Sequence, residues 1–113
     1  MSIVFAGYNY INNNADLSTI EFPVLNFVGS PMNIQSNSEL REAKFPSLVS
    51  IAGAIFYRDN ALLSAVSYPE LTEAGAYIRF DTCQVLRAID FPKLEFVGNY
   101  ISIRLNDGED INL

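Results

Sequence analysis

The chain has 113 residues, half of them hydrophobic, with 13 acidic side chains against 7 basic ones and no histidine. That length fits one domain with a sizeable core, and a formal charge of −6 without any run of Lys or Arg argues against nucleic acid or an anionic membrane as partner. No apolar stretch approaches the ~18 residues of a membrane-spanning helix, and the lone Cys83 excludes an intrachain disulfide.

Residues 1–6 are too short and too free of basic side chains to read as a signal peptide. From Phe22 onward one phrase repeats. Phe22-Pro23-Val24-Leu25 returns as Phe45-Pro46-Ser47-Leu48, Tyr68-Pro69-Glu70-Leu71 and Phe91-Pro92-Lys93-Leu94, at an unbroken spacing of 23 residues. A fixed period of this size predicts a solenoid, each repeat being one structural unit that stacks on its neighbours. Running the phase backwards places a degenerate copy before Phe22, with Asn14 over Asn37 and Leu17 over Leu40. The expected organisation is therefore one repeat domain over residues 1–113, in about five coils: 1–21, 22–44, 45–67, 68–90 and 91–113.

With the aromatic as position 1, position 4 is always Leu and position 7 apolar (Val28, Ile51, Ala74, Val97). Positions 11 and 13 hold Met32 and Ile34, Ile55 and Tyr57, Ile78 and Phe80, Ile101 and Ile103. Alternation around these residues is the period-2 pattern of a strand with one buried face. It predicts a parallel sheet at positions 10–14, entered through a Gly at position 8 or 9 where a positive φ is cheap. Positions 4, 7, 19 and 22 supply the other inward side chains. Ile78 is expected inward between Ile55 and Ile101, while Arg79, one residue on, is expected to matter little for stability. At position 16, Asn37, Asn60, Cys83 and Asn106 form a predicted ladder; unsatisfied, each buried amide group costs roughly 1–3 kcal/mol. Cys83 reads as a small substitute in that ladder rather than a reactive thiol, since nothing flanking it is electropositive.

The phrase F-P-x-L-x-x-V-G-x-x-I-x-I-x-x-N-x-x-L resembles the leucine-rich-repeat-like receptor L-domain family, over essentially the whole chain and most closely from Phe22 to Asn106. The resemblance implies an all-β, right-handed β-solenoid and a role as a ligand-binding or surface-recognition module. A cell-surface location would follow from the same likeness.

Function is expected to lie on surfaces. Predicted to point outward at positions 10, 12 and 14 are Tyr8, Tyr10, Phe56, Arg58, Tyr77, Arg79, Tyr100 and Arg104. A solvated sheet face is normally polar, and Tyr and Arg are enriched where proteins bind one another. The carboxylate pairs Glu70 with Glu73 and Glu39 with Glu42 fall on different coils and imply no cleft of the kind glycosidases use. Residues 107–110 match no calcium-binding loop and read as a polar closing turn. No catalytic residue, cofactor or metal is expected. The expected role is non-enzymatic: a structural or protein-interaction solenoid, assembling head-to-tail with itself into an oligomer or filament, or binding a protein or glycan through the aromatic and Arg face.

Overall fold

Alternating apolar residues over four positions are enough for a strand but too few for a helix, and the repeat folds accordingly. A computed structural model of the chain describes residues 3–5, 9–104 and 111–112, with side chains from 10 to 104. No helix occurs among them. The strands are β1 (Ile3–Phe5), β2 (Asn9–Asn12), β3 (Thr19–Glu21), β4 (Leu25–Val28), β5 (Met32–Gln35) and β6 (Glu42–Lys44). They continue with β7 (Ser50–Ile51), β8 (Ile55–Arg58), β9 (Ala65–Ser67), β10 (Glu73–Ala74) and β11 (Ile78–Asp81). The last are β12 (Ala88–Asp90), β13 (Phe96–Val97), β14 (Ile101–Arg104) and β15 (Ile111–Asn112).

These strands form three parallel sheets, stacked as a β-solenoid of about four turns: the sheet expected at positions 10–14, and two further sheets of short strands over the remaining walls of the coil. Sheet A runs β1-β4-β7-β10-β13, sheet B runs β2-β5-β8-β11-β14 with β15 added at its end, and sheet C runs β3-β6-β9-β12. Register follows the repeat: Ile78 pairs with Ile55 on one side and Ile101 on the other. The strands of sheet B begin at position 11, one residue later than predicted. Even the first copy keeps phase, Ile11 opposite Ile34 and Ile20 opposite Ala43, apart from a bulge between Ile3 and Val4.

The core is a set of inner columns, one per repeat position. Leu25, Leu48 and Leu71 are fully buried at position 4, and Leu40 and Leu63 at position 19. The position-1 aromatics, which period-2 reasoning left unassigned, also face inward. Phe22, Phe45, Tyr68 and Phe91 stack ring on ring at 5.6, 4.8 and 4.9 Å. Tyr57 stacks on Phe80 at 5.0 Å, and its hydroxyl lies 2.6 Å from that of Tyr68, which in turn donates to Met32 Sδ at 3.8 Å. Burial pushes the pKa of both tyrosines well up, so both stay neutral.

Two corners define the coil. After sheet B, Asn13, Ser36, Asp59 and Thr82 all adopt left-handed backbone (φ 53–58°). Each of their N–H groups donates to a carbonyl of the adjacent layer, which holds a conformation that costs a β-branched Thr most. Next comes the predicted ladder. Asn60 Oδ1 accepts from both the backbone N–H and the Nδ2 of Asn37, each at 3.1 Å, while Asn60 Nδ2 donates to Ile34 O at 2.9 Å. Asn14 repeats the pattern on Asn37. Cys83, fully buried, takes the same place and donates its thiol to Asp81 O at 3.6 Å; burial, the largest effect, pushes that thiol up to about 11. Before sheet B, Gly is required by close approach rather than by positive φ. A Cβ on Gly75 would lie 2.0 Å from Ala52 O, and one on Gly98 2.1 Å from Gly75 O.

At the C-terminal end the rule of parallel stacking breaks. β15 pairs antiparallel with β14, Ile111 opposite Ile103 and Asn112 opposite Ser102.

Candidate interaction face

Strand alternation that sends Ile78 and Phe80 inward sends Arg79 and Asp81 outward, and stacking at one layer per repeat builds side-chain rows along the outside of sheet B. In these rows three of the predicted residues converge tightly. Tyr77 and Tyr100 stack nearly parallel at 5.3 Å, and Phe56 meets Tyr77 edge-to-face at 6.3 Å. Arg79 joins them: its guanidinium carbon sits 5.6 Å from the centre of the Phe56 ring, and Nη2 donates to Asp81 Oδ2 at 2.9 Å. Burial works against the Arg79 charge, but hydrogen bonds to Tyr100 and Asp81 outweigh it and raise its pKa.

This cluster is ordered by its own contacts and still open to solvent. Tyr100 is 42 % exposed, and Phe56, Tyr77 and Arg79 are half-buried. The carboxylate of Asp81, predicted to point into water, is only 12 % exposed because Arg79 and Thr82 cover it. Arg79 therefore does structural work that an outward position did not predict.

The other predicted residues lie along the same face without joining the cluster. Tyr10 is 56 % exposed at the N-terminal end, two layers from Phe56 across Asn33. Arg58 is exposed, with Asp59 at 3.5 Å. Arg104 lies beside Asp81 in the register and is half-buried. Tyr8 and residues 107–110 lie outside the described residues.

Glu70 meets Lys93 at 2.7 Å, Glu73 stands exposed on sheet A, and Glu42 meets Lys44 at 3.6 Å on sheet C. Among the described residues no group of three or more Cys, Asp and Glu is placed to hold a metal ion, and no helix is long and apolar enough to cross a membrane.

A second feature was not foreseen. The C-terminal mouth of the core is a cavity of about 270 Å³, walled by Ile78, Phe80, Ile89, Phe91, Leu94, Ile101 and Ile103. Its sequence signal was available: the last copies of the inward positions end there. Comparison with family models, with curated proteins and with solved structures yields no match.

Proposed function

We propose that the protein is a non-enzymatic recognition solenoid, right-handed and of five coils, that binds a protein partner through the outer face of sheet B. The observation that carries this reading is the Phe56–Tyr77–Tyr100–Arg79 cluster, pre-ordered by stacking and by the Asp81 ion pair yet open to solvent. Rigid aromatic and Arg side chains lose little freedom on binding, so their contact area converts efficiently into affinity. A non-catalytic role is supported by the acids with displaced pKa values. Tyr57, Tyr68 and Cys83 are all driven upward by burial, the direction opposite to an activated nucleophile or base near neutrality. The likeness of the repeat to receptor L-domains points the same way.

End-to-end stacking of copies is a second reading, favoured by the apolar mouth at the C-terminal end of the core. It is the weaker one, because an incoming parallel strand would have to displace β15 from the edge of sheet B.

Affinity capture tests the first reading with three immobilised proteins: wild type, Tyr77→Ser/Tyr100→Ser, and Val85→Ser as a control at an exposed apolar residue off the face. Proteins retained by wild type and by the control should be lost with the double variant. Equal retention by all three overturns the reading.

A further inference from the structure

We propose that the partner at the outer face of sheet B is a second copy of this chain, docked side by side through the outer face of its sheet A. This inference rests on sheet B being a contact face and adds what covers it.

The three outer faces differ in kind. Seven large hydrophobic residues are exposed among the described residues, and six of them stand on two faces. Tyr10 and Tyr100 are on sheet B; Val24, Phe27, Val49 and Phe96 are on or beside the strands of sheet A. The strands of sheet C carry none. Two apolar faces on one small solenoid suit a heterologous contact, in which one surface of each copy meets a different surface of the next.

Charge separates the same two faces. On or beside sheet B, Arg58, Arg79 and Arg104 stand against Asp59 and Asp81. On sheet A, Glu70, Glu73 and Glu95 stand against Lys93, which is itself engaged by Glu70 at 2.7 Å. In a protein of formal charge −6, sheet B carries a local excess of positive charge and sheet A a local excess of negative charge. Arg79 can accept a second carboxylate, because a guanidinium has five N–H donors and Asp81 engages only some of them.

Along the axis both faces mix the two kinds of residue: on sheet A, Phe96 shares a layer with Glu95, and on sheet B, Phe56, Tyr77 and Tyr100 share layers with Arg58, Arg79 and Arg104. Both sheets are parallel stacks with the same layer spacing of about 4.8 Å, so a match in one layer is kept in the next. Such docking leaves both ends of the solenoid untouched, β15 included.

Complementation between two variants gives the test. Phe27→Ser/Phe96→Ser removes the apolar part of face A, and Tyr77→Ser/Tyr100→Ser removes the rings of face B; thermal melts check that each is folded. Sedimentation velocity at rising concentration should show wild type shifting to larger species and each variant staying monomeric. An equimolar mixture of the two variants should form dimers and stop there, since only one intact A face and one intact B face meet. Glu73→Lys and Arg58→Glu, both at exposed positions, form a second complementing pair that keeps every ring. Monomeric wild type at high micromolar concentration overturns the inference, as does a face A variant that associates like wild type. In either case, capture that still depends on Tyr77 and Tyr100 leaves the contact function of sheet B standing. Capture indifferent to them removes both.

Discussion

Two columns of aromatic rings run along this molecule, one inside the coil and one outside it. Inside, Phe22, Phe45, Tyr68 and Phe91 stack at 4.8–5.6 Å, with Phe45 and Tyr68 fully buried. Outside, Phe56, Tyr77 and Tyr100 lie at 5.3–6.3 Å, and Tyr100 keeps 42 % of its surface in solvent. Ring spacing is much the same in both, because the layer repeat of the solenoid imposes it. What differs is the surroundings: the inner rings pack among the core residues, whereas the outer rings stand on the outside of sheet B, half-buried or exposed. Stacking alone is thus no sign of function in a repeat protein; stacking that remains exposed is the informative case.

The largest effect should come from charging the inner wall. Ile78→Asp would bury an unpaired carboxylate between Ile55 and Ile101 and cost about 4 kcal/mol or more. Arg79→Ser, one residue away, should cost roughly 1–2 kcal/mol by stranding the Asp81 carboxylate. Chemical denaturation of both variants checks the order, and the reverse would put the inner and outer rows the wrong way round. Next comes truncation of one ring in each column. Phe45→Ala should cost about 3–5 kcal/mol, and Tyr100→Ala roughly 1 kcal/mol or less, since it is half in water already.

Much of this contrast was legible in the repeat. Positions 11 and 13 announced an inward row, and the Asn at position 16 announced a corner ladder, because four or five copies voted on each. Sheet A was hidden, since strands such as Ser50–Ile51 and Glu73–Ala74 are too short to show alternation. The inner rings were hidden by their prolines, which drew attention to backbone geometry; an aromatic retained at position 1 in every full copy was the signal for burial. On the candidate site, Phe56, Tyr77, Arg79 and Tyr100, singled out from their repeat positions, lie close together on the outer side of sheet B. The Arg79–Asp81 pair went unseen because a pairing two residues apart along a strand is set by side-chain reach, not by period. β15 occupies the repeat positions at which the earlier copies join sheet C; that it pairs antiparallel with sheet B instead could not be read from the repeat.

Alkaline titration gives a smaller effect confined to the interior. The Cys83 thiol is raised from 9.0 to about 11 by burial, so its protonated form favours the fold. The stability this provides is fully present below pH 9 and lost as pH rises toward 11, by roughly 2–3 kcal/mol in total. Tyr57 and Tyr68, also raised, add to the loss only above about pH 10. Urea midpoints between pH 8 and 10 should therefore fall for wild type and stay nearly flat for Cys83→Ser. A parallel decline in both would assign the effect elsewhere.

Smaller still is the inner hydroxyl pair. Tyr68 donates to Met32 Sδ and so accepts from Tyr57. Tyr68→Phe leaves a buried donor unmet and should cost about 1–3 kcal/mol, more than Tyr57→Phe, while the double variant should recover part of the loss. Equal single effects would reverse the donor assignment.

The account turns on the outer column being a contact surface, not a piece of the core. One paired measurement on Tyr77→Ser/Tyr100→Ser addresses that directly: its thermal midpoint, and its retention of whatever wild type binds. The prediction is a midpoint within a few degrees of wild type, in line with a loss of about 1 kcal/mol, together with abolished binding. A collapsed midpoint would make the rings structural, and an unchanged midpoint with undiminished binding would place recognition on another face.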